Sequence, residues 1–80
     1  MPVTILIVDD SSFFQRVLKE IISENKKFSV VGVASNGQEA IEKVKSLKPD
    51  VVTMDYEMPM MDGVTAVREI MATTPLPILM

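Results

Sequence analysis

Residues 5–11 read Ile5-Leu6-Ile7-Val8-Asp9-Asp10-Ser11, an apolar run that stops at two adjacent carboxylates. A second apolar run, Val51–Met54, stops at a third carboxylate, Asp55. Unbroken runs of apolar, mostly branched residues are typical of strands that are buried on both faces of a parallel sheet. Because the carboxyl ends of neighbouring parallel strands meet at one edge of a sheet, we expect Asp9, Asp10 and Asp55 to share one crevice.

The rest of the chain alternates between strand and helix patterns. Four strands are expected, at Val3–Val8, Phe28–Ala34, Val51–Met54 and 77–80. Ser29 and Gly32 weaken the strand character of Phe28–Ala34, so this strand is predicted to lie at an edge of the sheet.

Three amphipathic helices are predicted between these strands. Their starts are marked by capping residues, which are Ser11 or Ser12, then Asn36 with Glu39 three residues later, then Asp62. Their expected inward faces are Phe14, Val17, Leu18, Ile21 and Ile22; Ala40, Ile41, Val44 and Leu47; and Val64, Val67, Ile70 and Met71.

The predicted order of elements is β-α-β-α-β-α-β. Such alternation implies right-handed crossovers and an α/β fold with a parallel sheet that helices cover on both faces. A ligand is then expected beyond the carboxyl ends of the strands, at the point where the strand order reverses. The three acids also lie at carboxyl ends, so the motif and the fold predict the same location.

Composition narrows the kinds of function. The chain has 80 residues, enough for one domain, and it contains no cysteine or histidine, which removes the usual zinc ligands and the imidazole base. The net charge is −3 and the basic pair Lys26-Lys27 is short, so nucleic-acid binding is not expected. The first apolar run reaches Asp9 too soon for a signal peptide or membrane span, and we expect a cytoplasmic protein without membrane contact.

Three crowded carboxylates repel one another unless a cation lies between them. Mg²⁺ prefers oxygen ligands, and Asp10 and Asp55 are expected to bind it directly, with Asp9 acting through water and the Glu57 carbonyl completing the set. Asp55 is the candidate nucleophile toward a phosphoryl group. A single Asp-Asp pair after a strand is commonly a turn with a helix cap, but two acid-terminated strands at one sheet edge favour a functional site.

Three motifs resemble the receiver domain of bacterial two-component response regulators. They are Leu6-Ile7-Val8-Asp9-Asp10-Ser11, Asp50-Val51-Val52-Thr53-Met54-Asp55 and Met58-Pro59-Met60-Met61-Asp62-Gly63. The resemblance implies a flavodoxin-like, three-layer αβα fold with strand order 2-1-3-4-5 in the full domain. It also implies that Asp55 accepts phosphate from a histidine kinase, with Mg²⁺ held by Asp9, Asp10, Asp55 and the Glu57 carbonyl.

A narrower similarity, over residues 54–63 and 68–78, is to chemotaxis protein-glutamate methylesterases. By this resemblance, residues 1–80 are the N-terminal part of a receiver domain, without the fifth strand, its lysine and the effector domain. The chain itself is then not expected to be an enzyme, whereas its parent is expected to be a methylesterase/glutaminase. We expect such a fragment to self-associate, since an incomplete sheet exposes apolar surface, and to accept phosphate slowly from acetyl phosphate.

Two other functions remain open at this point. One is a Mg²⁺-dependent aspartyl phosphatase, although such enzymes usually separate their two acids by one residue and carry a catalytic lysine. The other is an inert structural fragment whose acids have no chemical role. Turnover of a small phosphate ester would favour the phosphatase. Mg²⁺ binding that does not change in the Asp55→Asn variant would favour the inert fragment.

Overall fold

Parallel strands and helices alternate in the computed structural model, which describes residues 1–55, 58 and 61–80. Over these residues the elements are β1 (Val3–Val8), α1 (Ser12–Ser23), β2 (Phe28–Ala34), α2 (Gly37–Leu47), β3 (Val51–Met54), α3 (Gly63–Thr73) and β4 (Ile78–Leu79). The first three strands have the bounds predicted from the sequence, and the fourth is shorter than the predicted 77–80. Among the described residues, no helix combines the length and the apolar character needed to cross a bilayer.

The described strands form one sheet in the order β2-β1-β3-β4, and every neighbouring pair is parallel. The order reverses between β1 and β3, where Val8 is paired with Met54. The predicted flavodoxin-like, three-layer αβα fold is confirmed, with strand order 2-1-3-4 over the described part of the chain. The predicted edge position of β2 is also confirmed.

The main core lies between the sheet and the layer formed by α2 and α3. Leu6 and Val8 of β1 and Val52 and Met54 of β3 are buried in this cluster, together with Ala40, Val44, Ala66 and Ile70 of the two helices. Side chains alternate along a strand, so the buried Ile5 and Ile7 lie on the opposite face, the side that α1 covers. Burial on both faces explains why β1 is apolar from Ile5 to Val8.

All three helices begin at a predicted capping residue. The Ser11 hydroxyl accepts a hydrogen bond from the Phe14 N–H, and the Asn36 side-chain oxygen accepts one from the Glu39 N–H. Asp62 caps α3 by accepting from the Thr65 N–H at 2.7 Å, and this bond is the main reason why the pKa of the Asp62 carboxyl lies below its usual value. Each cap satisfies a backbone donor that the first helical turn leaves without a partner.

All three predicted inward faces were partly wrong. In α2, Leu47, the last residue of the helix, is 41% exposed. Phe14 and Ile21 of α1 are 56% and 58% exposed, because the helix rests on the sheet through the neighbouring stripe that includes Leu18 and Ile22. In α3, Val64 and Met71 are exposed, whereas Ala66 and Ile70 are fully buried. The apolar stripe of each helix is wider than its contact with the sheet, so periodicity alone misplaced the centre of the buried face.

A polar pair joins the start of β1 to the residue before β3. The Thr4 N–H and hydroxyl both donate to the Asp50 carboxylate, at 2.8 and 3.0 Å, and the Asp50 N–H donates to the Thr4 carbonyl at 2.9 Å. The backbone bond from Thr4, with the hydroxyl bond second, holds the pKa of the Asp50 carboxyl below its ordinary value of 3.8. The pair therefore fixes the register of the two central strands at the end of the sheet opposite to the acids.

The Asp50→Asn variant is expected to melt at a lower temperature than the unaltered chain at neutral pH, because a neutral amide accepts weaker hydrogen bonds than a carboxylate. The folded-state pKa is depressed, so the stabilisation is complete above the unfolded pKa near 3.8 and disappears as the pH falls through the lower folded value. The difference in melting temperature should therefore close below about pH 4, which thermal melts followed by circular dichroism will measure. A difference that stays constant down to pH 2 contradicts this account.

Candidate functional site

Asp9, Asp10 and Asp55, the three acids that were predicted to meet, lie close together in the structure. Asp9 and Asp10 follow β1, Asp55 follows β3, and one carboxylate oxygen from each lies within 4.8 Å of the other two. Asp9 and Asp55 are half-buried, and Asp10 is exposed at the rim. The cluster therefore sits at the carboxyl edge of the two central strands, where the strand order reverses, as the sequence predicted.

Backbone hydrogen bonds extend the sheet one residue past each strand and so position two of the acids. The Asp55 N–H donates to the Val8 carbonyl, and the Asp9 N–H donates to the Ala34 carbonyl, both at 2.9 Å. The Ser11 N–H also donates to Oδ1 of Asp9 at 2.9 Å, which orients that carboxylate. Asp9 and Asp55 are thus placed by backbone hydrogen bonds of the sheet itself.

Gln15 is a residue near the cluster that the sequence analysis missed. It lies on α1, and its side-chain nitrogen donates to the Asp9 carbonyl at 2.6 Å. The signal was present in the sequence, because Gln15 is three residues before Leu18 and seven before Ile22 and therefore shares their sheet-facing stripe. A polar side chain on such a stripe needs a hydrogen-bond partner when it is buried.

The start of α2 lies close to Met61, the residue before the Asp62 cap of α3. A Cβ atom added to Gly37, the first residue of α2, would lie 2.8 Å from the Met61 carbonyl oxygen. Only glycine permits this approach without a shift of the Met61 backbone. The start of α2 therefore packs directly against Met61.

A cleft of about 230 Å³ adjoins the acids, and its lining includes Asp9, Asp55, Leu18, Thr53 and Leu79. The Thr53 hydroxyl is buried and has no hydrogen-bond partner among the described residues. A buried hydroxyl without a partner loses its hydration without recovering a hydrogen bond, which destabilises the folded state.

The Thr53→Val variant is therefore expected to raise the free energy of unfolding by about 1 kcal/mol, since valine has the same shape without the hydroxyl. Urea denaturation will measure the change. Thr65→Val is the contrasting control, because the exposed Thr65 hydroxyl on α3 has a partner in the Asp62 carboxylate, and this substitution should lower the stability. A loss of stability in Thr53→Val would mean that the hydroxyl forms a stabilising hydrogen bond in the folded chain.

The donor set fits a hard divalent cation. Three carboxylate oxygens within 4.8 Å of one another provide the oxygen ligands and negative charge that Mg²⁺ prefers, and the partial exposure of the cluster leaves room for water ligands. Nitrogen and sulfur donors of the kind that zinc prefers are missing from the sequence, which has no histidine or cysteine. The predicted fourth ligand, the Glu57 carbonyl, lies outside the described residues.

The fold and site together define a parallel α/β domain that presents a carboxylate cluster at its switch point. The family model of the response regulator receiver domain matches residues 5–80. The chain therefore belongs to the response regulator receiver domain family, as the sequence motifs predicted.

Solved structures and curated relatives agree with this assignment. The response regulator domain of Thermotoga maritima CheB superposes with a TM-score of 0.96 at 46% identity, covering 98% of this chain and 58% of that one. CheY of a CheX–CheY–BeF₃–Mg²⁺ complex from Borrelia burgdorferi gives a TM-score of 0.87 at 38% identity, covering 92% and 56%. The protein-glutamate methylesterase/protein-glutamine glutaminase of Vibrio parahaemolyticus is 62% identical over the whole chain, which spans 22% of its length.

The chain thus spans about a fifth of the length of the curated relatives it matches. It is a receiver domain sequence of the chemotaxis methylesterase type, and the predicted similarity to those proteins is confirmed. Receiver domains in general take phosphate from histidine kinases, bind Mg²⁺ and regulate effector domains.

Proposed function

We propose that the chain is the phosphoacceptor module of a chemotaxis response regulator, with Asp55 as the residue that receives the phosphoryl group. The observation that carries this proposal is the convergence of Asp9, Asp10 and Asp55 within 4.8 Å at the switch point of the sheet. Sheet edges of this kind are the usual ligand site of doubly wound α/β folds.

The transfer uses the Asp55 carboxylate as nucleophile. One carboxylate oxygen attacks the phosphorus of a phosphohistidine on the kinase, and a new O–P bond forms as the N–P bond breaks. The electron pair of the broken bond stays on the imidazole nitrogen, and the product is an acyl phosphate on Asp55. The N–H of Asp55, bound to the Val8 carbonyl, holds the nucleophile at the strand end during this exchange.

Asp9, Asp10 and Asp55 are the proposed Mg²⁺ ligands, together with the carbonyl of Glu57. When bound, Mg²⁺ supplies positive charge that offsets the negative charge of the acids and of the incoming phosphoryl group. Ser11 orients Asp9 through its N–H and keeps that carboxylate in the cluster. The Borrelia CheY structure, described as a complex with BeF₃ and Mg²⁺, supports this proposal, since BeF₃⁻ stands in for a phosphoryl group.

The proposed parent is a cytoplasmic protein-glutamate methylesterase/glutaminase whose receiver domain, including residues 1–80, regulates a fused effector domain. The high identity to such proteins over the whole chain supports this parent. Phosphorylation adds about −1.5 to −2 in charge at the switch point, which can shift a two-state surface toward the active arrangement. Exposed apolar side chains, among them Phe14, Ile21 and Leu79, support the further proposal that isolated copies of the chain associate.

Labelling with ³²P-acetyl phosphate tests the phosphoacceptor role. The expected result is incorporation that requires Mg²⁺, stops with EDTA and is removed by hydroxylamine, which cleaves acyl phosphates. Label that survives hydroxylamine, or that forms equally without Mg²⁺, overturns the proposal. Continuous hydrolysis of a small phosphate ester, without stable labelling of the chain, would indicate the aspartyl phosphatase function instead.

A further inference from the structure

The Gln15 side chain is hydrogen-bonded to the backbone segment that carries Asp9 and Asp10. This half-buried side chain extends from α1, and its nitrogen donates to the Asp9 carbonyl at 2.6 Å. The same nitrogen lies 3.3 Å from the Ala34 carbonyl and 3.2 Å from the Ser35 hydroxyl. Gln15 therefore joins α1 to the carboxyl ends of both β1 and β2 beside the cluster.

With this bond, Asp9 is held at three points. Its N–H is bound to the Ala34 carbonyl, its Oδ1 accepts from the Ser11 N–H, and its carbonyl accepts from Gln15. The first two bonds fix the strand end and the Asp9 carboxylate. The third fixes a different part of the site, the peptide group that joins Asp9 to Asp10.

A planar peptide group moves as a unit, so holding the Asp9 carbonyl oxygen also holds the nitrogen and Cα of Asp10. Asp10 is the exposed member of the cluster, and the direction of its side chain depends on that Cα. Loss of the Gln15 bond would let the peptide rotate and carry the Asp10 carboxylate away from the other two. The oxygen cluster would then be poorly arranged for a cation that demands near-octahedral geometry.

We propose that Gln15 is a positioning residue of the acid site, which sets the affinity for divalent cations by fixing the Asp9–Asp10 peptide. This inference rests on the proposed function, because it takes the cluster to be a Mg²⁺ site. Residues that hydrogen-bond to metal ligands without contacting the metal commonly matter for affinity. Their mutation weakens metal binding by about 10–100-fold. Because Gln15 acts through the backbone, we expect its removal to weaken Mg²⁺ binding by about tenfold, the lower end of this range.

The test compares Mg²⁺ dissociation constants, measured by titration calorimetry, for the unaltered chain, Gln15→Met and Gln38→Met. Methionine keeps the length of glutamine without its N–H donor, and Gln38 is an exposed glutamine on α2 that serves as the matched control. We expect about tenfold weaker binding in Gln15→Met and a change of less than about twofold in Gln38→Met. Ser35→Ala, which leaves the Asp9 bond in place, should also retain the affinity.

Melting temperatures without metal, and the amide resonances of Asp10 and Ser11, separate positioning from a role in folding alone. A lower melting temperature with an unchanged Mg²⁺ constant in Gln15→Met overturns the inference and leaves the proposed function intact. If Gln15→Met does not fold, Gln15→Ala, which places no long side chain at the site, takes its place with the same expected result. Absence of saturable Mg²⁺ binding in the unaltered chain overturns the proposed function and this inference with it.

Discussion

Replacing Asp55 with asparagine is expected to reduce labelling by ³²P-acetyl phosphate to below about 1% of that of the unaltered chain. Asparagine has the shape of aspartate, and its backbone N–H can still donate to the Val8 carbonyl, so the strand end should keep its position. The amide lacks the anionic oxygen that attacks phosphorus, and no acyl phosphate can form. Labelling is measured as hydroxylamine-labile ³²P per chain at saturating Mg²⁺.

The Asp50→Asn variant is the matched control for this experiment. Asp50 precedes β3 and Asp55 follows it, so the two substitutions make the same chemical change at opposite ends of one strand. Asp50→Asn should retain labelling at temperatures well below its melting point. Labelling of Asp55→Asn at the level of the control would show that another residue receives the phosphoryl group, and the proposed role of Asp55 would then be wrong.

Replacing Asp10 with asparagine is expected to change metal binding and stability in opposite directions. Removal of one ligand charge should weaken Mg²⁺ binding at least about tenfold. Without divalent cations the same change removes repulsion among carboxylates that lie within 4.8 Å of one another. The free energy of unfolding should then rise by about 1 kcal/mol, the size of such an interaction in a largely aqueous setting.

Titration calorimetry and urea denaturation in EDTA measure the two effects of Asp10→Asn. Glu20→Gln is the control, because it removes the same charge from an exposed position on α1. It should change the Mg²⁺ constant and the stability much less than Asp10→Asn does. Equal effects of the two substitutions would mean that net charge, and not the local cluster, controls binding.

The opposition between metal binding and stability has a structural origin. The sheet places Asp9 and Asp55 by hydrogen bonds of its own backbone, so the carboxylates are brought together by the fold. Their mutual repulsion is part of the folded state until a cation binds. A change of charge at this site would alter that repulsion, and the proposed phosphorylation of Asp55 would deliver such a change.

The strands and the meeting of the acids could be predicted because their signals are local. β1 and β3 are apolar apart from one threonine each, Thr4 and Thr53, and each strand is followed at once by an acid. Strand direction then brings Asp9, Asp10 and Asp55 to one edge without any knowledge of side-chain packing. The helix caps Asn36 and Asp62 were predictable for the same reason, since a cap acts over only three residues.

The buried faces of the helices could not be predicted as well. Phe14 and Ile21 belong to the apolar stripe of α1, yet both are more than half exposed. In α3 the small residue Ala66 is fully buried while Met71 is exposed. Size and hydropathy do not say which part of a wide stripe meets the sheet, because the rotation of a helix is set by all its packing partners together.

The sequence by itself determined the order of the elements, the strand ends and the kind of chemistry that their acids can support. Hydrophobic period and chain connectivity are sufficient for this, since they act through neighbours along the chain. The tertiary structure alone decided that Gln15 reaches the Asp9 carbonyl, that Gly37 packs against Met61 and that Thr4 binds Asp50. Each of these contacts joins residues of separate elements. The distance between its two atoms depends on how the helices and the sheet pack together.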